Sequence, residues 1–204
     1  MFLSTPPEFF RVIEHPRRPN AAVFAAGTVL ILIAVQIAAL SAMGRVPFCE
    51  CGTVKLWHGV VMSSENSQHV TDWYTPSHVL HGILFYGALH LLLPRTPLWA
   101  RLALALGVEV GWELIENTDT IIERYRAGTI SLDYYGDSIL NSLSDSLMMI
   151  AGFFLAWRIS VWASALLVLV AEIGTAYAIR DNLTLNVIML LLPFDAIRAW
   201  QGGL

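Results

Sequence analysis

Residues 98–126 read LWARLALALGVEVGWELIENTDTIIERYR, an apolar run that turns polar toward its end. The spacing predicts a single helix over this stretch, with Glu109, Glu113, Glu116, Asn117 and Thr120 recurring at helical intervals and so sharing one face. An ionised carboxylate costs roughly 2.5 to 3.5 kcal/mol to place in hydrocarbon, so that face must meet protein, water or a cation. A helix apolar on one side and acidic on the other belongs to a membrane bundle with a polar interior.

Composition agrees. Of 204 residues, 56% are hydrophobic and only 14% charged, and the mean hydropathy is +0.60, outside the usual balance of a soluble domain. The formal charge of −4 and the scattered arginines exclude a nucleic-acid surface. Residues 21–43 carry no charge and are long enough to cross a bilayer. They exceed the usual core of a signal peptide, so an uncleaved anchor is expected. Arg11, Arg17 and Arg18 precede them and hold the tail of residues 1–20 in the cytoplasm.

The fold expected is therefore all-α: a polytopic membrane helix bundle of about six transmembrane helices. A single transmembrane domain covers residues 21–204, with a polar periplasmic segment, 44–74, between the first two helices. Thr75-Pro76 starts the second span and Pro94 stops it. The third helix is residues 98–126 and leaves the membrane near Glu116, the fourth span is 136–157, the fifth 161–179 and the last 183–200, bent or interrupted at Pro193. Six crossings place both termini in the cytoplasm of a bacterium with this protein in its inner membrane. Cys49 and Cys51 either form a local disulfide or remain free thiols, and they lack the second pair of a zinc motif.

Polar groups converge on the periplasmic ends of spans two, three and four. His78 and His81 come from the second, Glu113, Glu116 and Asn117 from the third with Glu109 one turn deeper, and Asp137, Asn141 and Asp145 from the fourth, with Ser144 beside them. Clustered carboxylates at low dielectric need shared protons, partner cations or a metal; Arg124 and Arg126 are the nearest cations in sequence. With a divalent zinc, manganese or iron ion, His78, His81, Glu113 and Asp137 are the candidate ligands. Glu116 or Asp145 would then serve as general base, and Asn117 and Asn141 would orient the ligand. Structural readings stand beside this one. Polar groups near helix ends also face headgroups or tie helices together, and Trp57, Trp73, Tyr74, Tyr134 and Tyr135 read as an interfacial aromatic belt. Glu172 is an isolated acid with Arg180 as its partner in sequence, and no chemistry is assigned to it.

The segments from Glu65 to Gly82, Trp112 to Asn117 and Asp133 to Asn141 resemble an uncharacterised family of small bacterial inner-membrane proteins. That resemblance implies a location and no activity. The order His78 or His81, Glu113 and Glu116, then Asp137, Asp145 and Gly152 is more distantly similar to VanZ-type membrane proteins. Asp133 and Asp145 with their flanks also look like the two motifs of lipoprotein signal peptidases, which implies an aspartyl dyad, although Ser142 stands where that pattern requires asparagine. The leading expectation is a metal-assisted hydrolase or transferase acting on a lipid-linked or membrane-embedded substrate. The alternatives are a metal-independent aspartyl hydrolase, a proton- or ion-coupled carrier, and a non-enzymatic envelope protein that binds membrane lipids.

Overall fold

A computed structural model describes residues 19–129 and 131–203. Arg11, Arg17 and Arg18, on which the cytoplasmic tail rests, lie outside the described residues. Eight helices follow in order among these residues: α1 Pro19–Ala42, α2 Thr75–Leu92, α3 Leu98–Glu116, α4 Asp119–Gly128, α5 Ile139–Arg158, α6 Val161–Ile179, α7 Leu183–Leu191 and α8 Asp195–Gln201. No strand occurs among the described residues, only an isolated bridge between His58 and Asp72.

Among the described residues three helices are long and apolar enough to cross a membrane: α1 over Val23–Ala42, α5 and α6. The exposure pattern of α6 fits this. Trp162 is 82% exposed and Tyr177 91%, with Leu166, Val170 and Ile173 bare between them. A helix apolar all round and so little covered by protein needs lipid as its neighbour.

The core forms where α2 and α5 cross. Gly82 and Gly152 meet there, and a Cβ on either would overlap backbone of the other helix, Met149 and Phe153 for the first and Val79 for the second. Small residues at a crossing let two helices gain close packing that lipid cannot supply. Beside it, Leu102, Ala105, Leu106 and Val110 of α3 pack on Met149 and Phe153 of α5. Helix α1 joins through Gln36, whose amide donates to the Ser142 carbonyl (3.0 Å) and hydroxyl (2.8 Å) and accepts from Ser146 (2.9 Å).

Two expected elements are corrected. The helix over 98–126 breaks after Glu116: the Asn117 side chain donates to the Glu113 carbonyl at 3.0 Å, and Thr118 takes extended backbone as the cap of α4. An asparagine amide that competes for the helix's own carbonyls favours termination. Thr120 consequently turns outward and is exposed, off the acidic face.

The stretch 183–200 is not one crossing helix but a hairpin of α7 and α8 around Pro193. Its end returns to its beginning, since Gln201 Nε2 donates to Asp181 Oδ1 (3.1 Å) and Arg180 to the Trp200 carbonyl (2.9 Å). The nine residues of α7 rise about 14 Å, well short of a bilayer core. Glu172 does not pair with Arg180 either. Its two oxygens accept the Leu183 and Thr184 amides at 3.0 and 3.1 Å, supplying the open N–H groups at the start of α7.

Candidate functional site

At one end of the bundle a cavity of about 140 Å³ lies between α2, the α3–α4 junction, the loop before α5, and α7. His78, His81, Glu116, Asp137 and Asp145 line it. Sequence reasoning therefore found five of its polar walls. The remaining three candidates stand behind them: Glu113 behind His78, Asn117 behind Asp137, and Asn141 in the anchoring of the polar segment.

His78 is the centre of the cluster. Its Nδ1 lies 2.7 Å from Glu109 Oε1 and 3.4 Å from Glu113 Oε1, while Nε2 faces Asp145 Oδ2 at 3.8 Å. His81 directs its own Nδ1 to the other oxygen of Glu109 at 3.0 Å. Glu109 is fully buried and is thus a shared acceptor that orients both imidazoles. Reading the acids by depth alone leaves Glu109 out of the site. The i, i+3 pair of histidines facing it was the available signal.

Glu113 is also fully buried. Its Oε2 accepts from the Ser142 hydroxyl at 2.5 Å, and among the described residues its Oε1 makes no hydrogen bond, its near neighbour being His78 Nδ1 at 3.4 Å. Through Ser142 this carboxylate connects to Gln36, a residue whose signal was the lone amide in a charge-free span.

Asp137 is held by a clamp. Asn117 Nδ2 donates to Asp137 Oδ2 at 2.7 Å, the Asp137 amide donates back to Asn117 Oδ1 at 2.7 Å, and the Tyr134 hydroxyl donates to Oδ1 at 3.1 Å. Burial pushes the Asp137 carboxyl up to about 6, against the downward pull of those Asn117 and Tyr134 bonds. The Asn117 side chain is committed to the Glu113 carbonyl and to Asp137, which fixes Asp137 in place. Asn141 donates to the His69 carbonyl at 2.9 Å and fastens the polar segment to α5.

Several expectations are revised by this geometry. Arg124 and Arg126 do not neutralise the acids; Arg124 donates to the Leu190 and Leu191 carbonyls, and Arg126 to Leu132. Carbonyls at the C-terminal end of α7 attract a guanidinium through the helix dipole. Tyr74 and Tyr134 are not belt residues, because both line the cavity, whereas Trp57 and Tyr135 are exposed. Asp133 is exposed, and among the described residues no hydrogen bond or shared cavity wall joins it to Asp145. Cys49 and Cys51 form a disulfide.

Metal-compatible groupings differ in detail from the expected ligand set. His78, Glu113 and Asp145 bring one donor atom each within 4.8 Å of one another, as do His78, His81 and Glu109. Asp137 belongs to neither group. The polar segment has its own charge cluster, where Lys55 and His69 both bond Glu65. Those contacts hold the Glu65 carboxyl down at about 2.

A family profile described as a protein of unknown function, DUF2585, matches residues 40–203. A UPF0314 protein of Rhizobium johnstonii is 59% identical over 172 residues, covering 84% of this chain and 88% of its own. One from Paracoccus denitrificans is 57% identical over 187 residues, 92% of this chain and 95% of its own. One from Brucella anthropi is 49% identical over 194 residues, 94% and 98% of the two chains. None of these relatives is a VanZ-type protein or a signal peptidase by name, and no solved structure matches. With a profile match across four-fifths of its length and relatives that align along nearly their whole chains, the protein belongs to the DUF2585 family.

Proposed function

We propose that this is a bacterial inner-membrane enzyme, a metal-assisted hydrolase or transferase whose substrate is lipid-linked or embedded in the membrane. The observation that carries the reading is His78 set among Glu109, Glu113 and Asp145 at the wall of a cavity. Oε1 of Glu113, buried beside His78 and without a hydrogen bond among the described residues, is the atom that would take a cation. His78, Glu113 and Asp145 would hold zinc, manganese or iron, and the metal would supply a water acidified for attack. Glu109 keeps both imidazoles oriented in the manner of a carboxylate that supports a histidine ligand. Glu116, on the cavity wall, is the base that takes the proton. Asn117 and Tyr134 hold Asp137 at the cavity wall, where it orients substrate.

The test is metal content. Purified protein with its disulfide intact, reconstituted in nanodiscs and equilibrated with zinc, manganese or iron, is expected to retain about one ion per chain against extensive washing. His78→Ala and Asp145→Asn are expected to lose it while Tyr135→Ala keeps it. Wild type that holds none of the three metals would overturn the reading.

The same proposal includes a membrane arrangement. We infer one membrane domain in which α1, α2, α3, α5 and α6 cross the bilayer and α7–α8 re-enters from the site's side as the sixth, incomplete element. This supersedes the six full crossings expected earlier and moves the C-terminal end to the side of residues 44–74. Support comes from Gln201 beside Asp181, and from the Tyr74 hydroxyl donating to that same Asp181 at 3.2 Å. The Cys49–Cys51 bond favours the oxidising periplasm for that side. A single cysteine placed at Gly203 in a chain without Cys49 and Cys51 is expected to react with a membrane-impermeant maleimide in intact spheroplasts, as one at Val54 should. One placed at Arg95 is expected to react only after lysis. Protection of the Gly203 position until lysis would restore the six-crossing arrangement.

A further inference from the structure

The walls of the cavity carry a pattern that the metal cluster does not use. Tyr74, Trp112, Tyr125 and Tyr134 line it together with Glu116 and Asp137. Among the described residues that line it there is no lysine and no arginine. A pocket for a phosphate or carboxylate would present a guanidinium or ammonium to pair with it. The two wall acids outside the metal cluster, Glu116 and Asp137, favour a ligand of the opposite sign.

The tyrosines are disposed to offer rings to a ligand. The Tyr125 and Tyr134 rings meet at 85° with centroids 5.5 Å apart, forming two perpendicular walls. Their hydroxyls are already committed, Tyr125 to Asn186 Oδ1 at 3.0 Å and Tyr134 to Asp137 Oδ1 at 3.1 Å. The Tyr74 hydroxyl is committed likewise to Asp181. With the hydroxyl ends held by neighbouring side chains, the aromatic bodies are left as surface for the cavity. Electron-rich aromatic walls with a nearby carboxylate are the chemistry that recognises an alkylammonium group.

We propose that the cavity binds the ammonium-bearing headgroup of an amphiphile, with Tyr125, Tyr134, Trp112 and Tyr74 as aromatic walls and Glu116 and Asp137 as counter-charges. The inference rests on the reading of this cavity as a substrate site and names the substrate class for it. Its size supports a headgroup rather than a whole lipid: about 140 Å³ is below the roughly 300 Å³ at which pockets for drug-sized molecules begin. The acyl chains then remain in the bilayer, beside the apolar side chains of Leu183 and Val187 that form the cavity's α7 edge.

The experiment is calorimetric titration of the full-length protein, in a sugar-based detergent free of nitrogen, with choline chloride and with its uncharged isostere 3,3-dimethylbutan-1-ol. Choline is expected to bind at least ~10-fold more tightly, the equivalent of about 1.4 kcal/mol. Tyr125→Leu should abolish the preference and Tyr125→Phe should retain it, with both variants checked for a monodisperse elution profile. Equal binding of the two probes, or binding of neither, overturns the proposal. A second arm distinguishes the source of the headgroup: nanodiscs of phosphatidylcholine should compete with added choline, whereas nanodiscs of phosphatidylglycerol should not. If phosphatidylcholine fails to compete while choline binds, the ligand is a free ammonium compound and the amphiphile part of the proposal is overturned. Metal content measured on the same samples separates the two readings, because Tyr125→Leu should leave the ion at His78 in place even where choline no longer binds.

Discussion

Gly152→Ala is expected to lower the stability of the protein by about 1–3 kcal/mol or more, the range for forcing atoms into a packed interior. The added Cβ would overlap the carbonyl of Val79 and lie 3.0 Å from its Cα. Backbone cannot rotate away as a side chain can, so α2 and α5 must separate along the most extensive helix pairing in the molecule. Gly82→Ala drives the same two helices apart from the other side, against Met149 and Phe153. Gly87→Ala and Gly107→Ala are the controls. Among the described residues no atom of a neighbouring element lies within 4 Å of where a Cβ would stand at either position, and replacing a mid-helix glycine by alanine there should be neutral or gain up to about 1 kcal/mol. Thermal unfolding in one detergent, followed by the loss of the monodisperse peak, measures all four. Gly152→Ala as stable as Gly87→Ala would show that the two helices do not cross where these glycines meet.

That crossing shows what the sequence could and could not disclose. Local signals were sufficient for α6, expected over 161–179 and found as Val161–Ile179, and for the start of α2 at Thr75-Pro76. They were also sufficient to gather His78, His81, Glu116, Asp137 and Asp145 at one end of the bundle. The partner of a glycine is another matter. Gly82 and Gly152 are far apart in the chain, and nothing in the flanks of either says that they touch. The break after Glu116 was hidden for a different reason: apolar periodicity continues through Ile121 and Ile122, and the interruption depends on where the Asn117 amide points. Tyrosines near a helix end read alike whether they face headgroups or a cavity, so Tyr74 and Tyr134 were misplaced. Pro193 marked a bend or an interruption, but the reversal of α7–α8 depends on Gln201 finding Asp181 across the fold.

Glu109→Ala should be the most damaging single change in the polar cluster, costing about 3–5 kcal/mol, the range for removing one partner of a buried charged pair. Glu109 is inaccessible to solvent and accepts from two imidazoles at 2.7 and 3.0 Å. Truncation leaves both Nδ1 atoms facing a void, and His78 loses the acceptor that fixes its orientation toward Asp145. Glu109→Gln keeps the volume and one acceptor oxygen, so its stability loss should be clearly smaller. The variant also separates structural from chemical roles. If the proposed metal binds at His78, Glu113 and Asp145, which are untouched in Glu109→Gln, its affinity should fall by about 10- to 100-fold without being lost, as loss of a group that orients a histidine ligand does. A double-mutant cycle with His81→Ala, read by thermal unfolding, should show Glu109 and His81 coupled by about 0.5–3 kcal/mol. Additive losses would mean that the 3.0 Å contact carries no energy, and Glu109 would then serve His78 alone.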